Sequence, residues 1–240
     1  MRLLVTRPDD AAAHTIRRLR DLGHQIVTLP VMKAEHHLDA TLKALRIPHG
    51  ALAITSAAAV RALAAIGGHL DPYLGDRVYA VGEATAAAAR EIGFRDVEAA
   101  FGTGDSMVEL FGDRLAGLAA EKPLLYLAGN PRSPAFEEGL KQRNVPLIVV
   151  ESYRMHPLPK SEADLRSIIE SGPIDGILLY SRETARHFFA LPFAGPGRIA
   201  LEGARLFCLS DNVAKAVPEA LRANIATAAQ PSEDSLLALL

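Results

Sequence analysis

Arg2-Leu3-Leu4-Val5-Thr6 opens the chain, and Leu124-Leu125-Tyr126-Leu127-Ala128 repeats its apolar pattern at an offset of 121, Leu3 answering to Leu124. Each run leads into a polar turn, a segment with helical spacing and a second short apolar run, Ile26-Val27 in one copy and Leu147-Ile148 in the other. Further on, Ser56 answers to Ser181, Val78-Tyr79-Ala80-Val81-Gly82 to Leu206-Phe207-Cys208-Leu209-Ser210, and Asp105-Ser106 to Asp234-Ser235. The offsets grow only by loop-sized steps, from 121 to 129, which marks one unit duplicated within the chain. Short apolar runs alternating with 3.6-periodic segments are the pattern of parallel strands with crossover helices on both faces. The expectation is therefore two similar α/β domains. Strands are expected at 2–6, 25–29, 51–55, 77–81, 97–99, 124–128, 147–150, 176–180, 205–209 and 225–228. Helices are expected to open near Asp9, Ala57, Glu83, Asp105, Pro134, Ser161, Arg182, Asn212 and Ser232.

Composition narrows the function. With 240 residues, 49% of them hydrophobic and 22% charged, the chain can build real cores, and general disorder is excluded. Lys and Arg total 26 against 28 Asp and Glu, so no global field gathers nucleic acid or an acidic membrane; an anionic ligand needs a local site. Cys208 is the only cysteine, which excludes disulfides within the chain and thiolate clusters and fits a reducing cytoplasm; it reads as a small buried apolar residue. The first apolar run is too short for a secretory signal, and the stretch 51–68 contains Thr55, Ser56 and Arg61, where a membrane span needs about 20 apolar residues. Charges scattered over most helix faces make a monomer the expectation. Phe188, Phe189, Leu191 and Phe193 are expected to pack under the helix that follows Ser181.

Two segments in equivalent positions, 30–37 and 151–159, alternate in polarity between prolines and read as extended strands that would form a hinge. A hinged pair of α/β lobes implies a cleft, and in parallel sheets ligands collect at the carboxyl ends of strands. Five turns there run from a strand through Thr, Ser or Gly into a helix: Thr55-Ser56, Gly82 to Thr85, Gly104-Asp105-Ser106, Ser181 to Thr184 and Ser210-Asp211-Asn212. Each would offer free backbone N–H groups and a positive helix end, although any one alone is adequately explained as capping. Ser106, with Glu109 after it, reads as the N-cap of a near capping box. Arg7, Arg132 and Arg182 stand at strand ends or first helical turns and are candidate carboxylate partners; solvation is the alternative for each, and the stronger one for Lys215. His36-His37 and His156 read as solvated linker histidines. No Gly-x-Gly-x-x-Gly, Walker motif or Gly-x-Ser-x-Gly is present, so no nucleotide cofactor is expected. Tyr153 sits in the second linker, where a phenol could donate a proton or hydrogen bond to a leaving oxygen; it reads equally well as a rim aromatic packed on the hinge.

Val5-Thr6-Arg7-Pro8, Ile54-Thr55-Ser56-Ala57 with Ala59-Val60, Val81-Gly82-Glu83-Ala84-Thr85-Ala86, Gly104-Asp105-Ser106 and Tyr153, taken in order, resemble the uroporphyrinogen-III synthase family over essentially the whole chain. That resemblance implies two flavodoxin-like lobes that exchange segments across a two-stranded connector. One lobe would span 1–30 with 161–240 and the other 37–152, with linkers at 31–36 and 153–160. It also implies that the substrate is hydroxymethylbilane, a linear tetrapyrrole with acetate and propionate arms on every ring. Loss of its hydroxyl leaves an azafulvenium cation, which closes at the substituted carbon of ring D to a spiro-pyrrolenine. The spiro centre then fragments and recloses with ring D inverted, and neither a metal nor an organic cofactor takes part. Carried over by residue, Tyr153 would assist departure of the hydroxyl, and Arg7, Thr55, Ser56, Gly82, Thr85, Ser181 and the Ser210-Asp211-Asn212 turn would hold the substrate. Many relatives read Gly-x-Thr-Thr-Ala at that last turn, where Val213 stands here. A second reading is a two-lobed cytoplasmic binding or sensor module for an acidic small molecule; a third, disfavoured by the missing phosphate loop, is a nucleotide-binding protein.

Overall fold

The structure, a computed structural model, describes residues 1–102, 104–111, 118–192 and 203–240. In chain order its elements are β1 (Arg2–Val5), α1 (Asp9–Asp21), β2 (Gln25–Thr28), β3 (Met32–His36), α2 (Leu38–Leu45), β4 (Ala51–Ile54), α3 (Ala57–Ala65), β5 (Arg77–Ala80), α4 (Glu83–Glu91), β6 (Asp96–Ala99), α5 (Gly104–Phe111), β7 (Leu124–Asn130), α6 (Ala135–Gln142), β8 (Leu147–Pro157), α7 (Glu162–Glu170), β9 (Gly176–Leu179), α8 (Arg182–Phe189), β10 (Arg205–Cys208), α9 (Asp211–Ala214), β11 (Ile225–Thr227) and α10 (Glu233–Leu237). The strands form a five-stranded sheet, β11-β10-β9-β1-β2, and a six-stranded sheet, β3-β8-β7-β4-β5-β6. The expected α/β class, with a duplicated parallel sheet, is what the chain adopts. Each sheet takes β1-β2 or β7-β8 from one copy of the repeat and its other three parallel strands from the other copy, in the flavodoxin-like order.

The duplication extends to hydrogen-bond register. Leu3 faces Gly176 in one sheet as Leu124 faces Ala51 in the other. Leu3 faces Ile26 as Leu124 faces Leu147, and Leu206 faces Ile225 as Val78 faces Val97. A slip of one residue would turn every core side chain to the opposite face, so burial holds this register in both copies.

Two compact units result, Met1–Lys33 with His156–Leu240, and Ala34–Met155; the chain passes from one to the other within β3 and again within β8. The two extended segments do pair: Leu158 N donates to Val31 O at 2.9 Å and His37 N to Ser152 O at 2.8 Å. In the second unit, strand alternation divides the core between the sheet's two faces. Leu52, Ile54, Leu125 and Leu127 pack with Ala59, Val60 and Leu63 of α3, whereas Ala53, Tyr79 and Tyr126 pack with Met107 of α5 and Phe136 and Leu140 of α6. Alanines in β4 leave room for the Tyr126 ring, which meets Phe136 edge-on at 5.0 Å. In the first unit Leu3, Val5, Leu178 and Phe207 pack against Ala12 and Leu19 of α1 and Leu236 of α10.

Some elements differ from expectation. The segment after β3 forms α2, with Thr41, Ala44 and Leu45 buried at helical spacing. Helix α5 begins at Gly104, so Ser106 lies inside its first turn and does not cap it. Phe188 is fully buried and meets Phe189 at 5.1 Å, as expected, while Phe193 lies outside the described residues. Among the described residues no helix is long and apolar enough to cross a membrane.

Candidate functional site

The carboxyl edge of the six-stranded sheet carries several of the expected polar groups. Ile54 ends β4, and Ser56 caps α3, its Oγ accepting from Ala58 N at 3.0 Å. Thr55 Oγ1 lies 2.8 Å from the Tyr126 hydroxyl. Burial raises the Tyr126 pKa, and the bond to Thr55 opposes that rise.

Tyr153 reaches this edge through a bulge. Ala128 faces Glu151 and Gly129 faces Tyr153, so Ser152 has no counterpart; its Oγ donates to Ala128 O at 3.1 Å. The extra residue inverts the strand's alternation. Before it, Ile148 and Val150 face α3; after it, Tyr153 and Met155 do. Without the bulge Tyr153 would point to the opposite face. The ring passes over Gly129, where a Cβ would lie 2.2 Å from Tyr153 Cζ and 2.3 Å from its hydroxyl oxygen. Only a residue without a side chain leaves that slot open. Tyr153 is 8% exposed, and its hydroxyl lies near Ser56. Burial pushes the pKa up against the opposing influence of the Ser56 hydroxyl and the Arg61 charge, so the phenol is protonated at neutral pH. Tyr153 is a buried member of the α3-side core, not a rim aromatic of a linker.

Beside it, Glu151 gathers donors. Arg154 Nε donates to Oε1 at 2.7 Å, Asn130 Nδ2 to Oε2 at 2.9 Å, and His37 Nδ1 stands 3.6 Å from Oε1. These hold the carboxyl at about 2, Arg154 first, against burial. His37 is thus a partner of β8, not the solvated histidine expected. Arg132 donates from Nε to Glu137 at 2.5 Å and from a terminal nitrogen to Gly129 O at 3.4 Å, bracing the strand end. Gly82 caps α4 with no side-chain bond, and its backbone is packed against Gly102, whose N donates to Val81 O at 2.7 Å. Thr85 is 6% exposed and its repeat counterpart Val213 is 3% exposed. Both point inward, which explains why valine is accepted in the second copy and leaves Thr85's hydroxyl poorly placed for a ligand.

In the other unit Arg7 is already engaged. Its guanidinium donates to Thr15 Oγ1 at 2.8 Å and Glu233 Oε1 at 3.2 Å, and lies 4.2 Å from the Tyr180 ring centroid. Tyr180's hydroxyl donates to Glu233 at 3.0 Å, and Thr15 donates to the same carboxylate. Burial pushes Glu233 upward, but bonds from Thr15, Arg7 and Tyr180 outweigh it and hold the carboxyl below its usual range. Ser181 caps α8, accepting from Thr184 N at 3.1 Å and donating to Thr184 Oγ1 at 2.8 Å; Arg182 is exposed in the first turn. Ser210 caps α9 with no side-chain bond, and Asp211 and Asn212 are exposed. Cys208 is buried, which pushes its thiol up to about 11.

Sequence reasoning missed Gly129, Tyr126, Glu151 and Glu233. Gly129-Asn130-Pro131 ending a long apolar run was a readable sign of close backbone approach; nothing local marked Glu233, which meets Arg7 across 226 positions.

A family model described as "Uroporphyrinogen-III synthase HemD" matches residues 13–238. Solved structures that resemble the chain include the following two. A uroporphyrinogen-III synthetase from Helicobacter pylori 26695 is 17% identical, with a TM-score of 0.63, and the match covers 100% of this chain and 98% of that one. A mutant uroporphyrinogen III synthase from the extremely thermophilic bacterium Thermus thermophilus is 18% identical, with a TM-score of 0.56, over 92% and 89%. At that identity they attest the fold. No curated protein matches significantly.

Proposed function

The chain belongs to the uroporphyrinogen-III synthase family, and from that premise we propose how its residues cyclise hydroxymethylbilane with inversion of ring D and loss of water. Tyr153 carries the proposal, as a buried phenol kept protonated and packed over Gly129 at the carboxyl edge of a parallel sheet. A protonated phenol can donate to the departing hydroxyl, which is lost as water to leave the azafulvenium cation, while the packing over Gly129 steadies the donor. The substrate closes to the uninverted isomer without help, so the enzyme's further task is to fold the chain so that the disfavoured bond forms first. Its carboxylate arms would be gripped by Thr55, Ser56, Gly82, Arg132, Ser181, Arg182, Ser210, Asp211 and Asn212, mainly through backbone N–H groups at capped turns. Arg7 joins them only by exchanging Glu233 for substrate. The lone buried cysteine supports a cytoplasmic location and the charges scattered over the helix faces support a monomer, and family membership disfavours the binding-module reading.

The test is to supply hydroxymethylbilane, oxidise the products and measure type III against type I uroporphyrin. Type III in excess is expected, whereas type I alone from folded protein refutes the proposal. Tyr153→Phe should lower kcat by roughly 100-fold without abolishing it, the low end for loss of a general acid where positioning survives. Full activity in that variant removes Tyr153 from the mechanism.

A further inference from the structure

Phe101 is 90% exposed, more than any other large apolar side chain among the described residues. Its backbone is anchored on both sides: Ala100 N donates to Ala80 O at 2.9 Å and Gly102 N to Val81 O at 2.7 Å. A Cβ at Gly82 would stand 3.2 Å from Gly102 Cα, so the Phe101 loop lies directly against the Gly82 turn. The phenyl ring is thus presented to solvent at the carboxyl end of β6, in line with Gly82 and Ser56 on the same edge. Its position fits the geometry of the reaction. The first ring's hydroxymethyl carbon and ring D must meet where the new bond forms, so both ends of the substrate lie at the Tyr153 hydroxyl and the middle rings loop away. That hydroxyl lies near Ser56, after β4; β6 is two strands further along the sheet, about 10 Å at the usual strand spacing. We propose that Phe101 is a substrate-binding residue whose ring packs on a middle pyrrole of the bilane, holding the chain folded back on itself.

The inference rests on the cyclase reading above, and the experiment separates the two. Phe101→Ala removes a surface ring with no buried contact, so the fold persists. KM for hydroxymethylbilane should rise about three- to tenfold, the loss of one aromatic contact, with kcat nearly unchanged. The sequence has no tryptophan, so Phe101→Trp installs a sole indole reporter. Uroporphyrinogen III, added without oxygen, should shift its emission to the blue and shield it from iodide. If wild-type protein makes type III product while Phe101→Ala keeps the wild-type KM, or the indole ignores saturating uroporphyrinogen III, the inference falls and the cyclase reading stands. A wild-type chain giving type I alone removes both.

Discussion

Gly129→Ala tests whether the slot beneath Tyr153 serves catalysis. The added methyl would lie 2.2 Å from Tyr153 Cζ, 2.3 Å from its oxygen and 2.6 Å from Cε1. Carbon atoms in contact prefer about 3.5 Å or more, so the ring must retreat by at least about 1.3 Å. Overpacking of this kind costs about 1–3 kcal/mol. The usual advantage of alanine over glycine in a strand, about 0.5–1 kcal/mol, has the opposite sign, so net destabilisation isolates the clash. Displacing a hydroxyl by about 1 Å costs roughly 100-fold in rate, so kcat should fall toward that of Tyr153→Phe while KM changes little. Urea unfolding gives the stability, and initial rates with isomer analysis give the chemistry. In a Tyr153→Ala background the same substitution at Gly129 should cost no stability, because nothing then occupies the slot. Wild-type kcat, isomer ratio and urea midpoint in Gly129→Ala would refute the reasoning.

Thr55→Val leaves the Tyr126 hydroxyl without the partner it has at 2.8 Å, and should cost about 1–2 kcal/mol in urea unfolding, less when Tyr126→Phe accompanies it. Glu151 ionises at about 2 in the folded chain against 4.5 unperturbed, so it stabilises fully above pH 4.5 and progressively less as pH falls from 4.5 to 2. Glu151→Gln should therefore be less stable than wild type at pH 7, with the gap closing across that window; a gap independent of pH would sink the assignment. Cys208, buried with its thiol pushed up to about 11, should resist iodoacetamide in native protein and react once urea exposes it. Fast labelling of the native state would contradict its burial.

The backbone plan was legible because register and repeat leave traces in apolar spacing: Leu3 and Leu124, Ser56 and Ser181 stand in equivalent places by counting alone. The cap turns were legible for the same reason, as Ser56 and Ser181 follow strand ends and their hydroxyls cap α3 and α8. What stayed hidden depends on direction. Tyr153 could be named but not aimed, since the Ser152 bulge decides which face it takes and a bulge has no periodic signature. Thr85 looked like an edge hydroxyl because it opens a helix, yet it turns inward. Glu233 was invisible because its meaning lies in Arg7, Thr15 and Tyr180, which only the fold brings together.

The two copies share register but diverge where chemistry would occur. Tyr180 occupies the place of Thr55, and Val5 that of Tyr126. In the first unit this yields a closed electrostatic set, in which Glu233 already satisfies Arg7, Thr15 and Tyr180. An incoming carboxylate gains there only by displacing an ionised group that its surroundings hold ionised, which nearly cancels the gain. In the second unit Tyr153 stands near a neutral hydroxyl, Ser56, and burial keeps the phenol's proton in place. On the proposed mechanism a leaving hydroxyl would meet a donor there that no carboxylate among the described residues already engages. On the proposed mechanism the symmetric scaffold would therefore support an asymmetric division of labour, with proton donation falling to the Tyr153 edge because the phenol there, unlike Tyr180, is not tied to a carboxylate among the described residues.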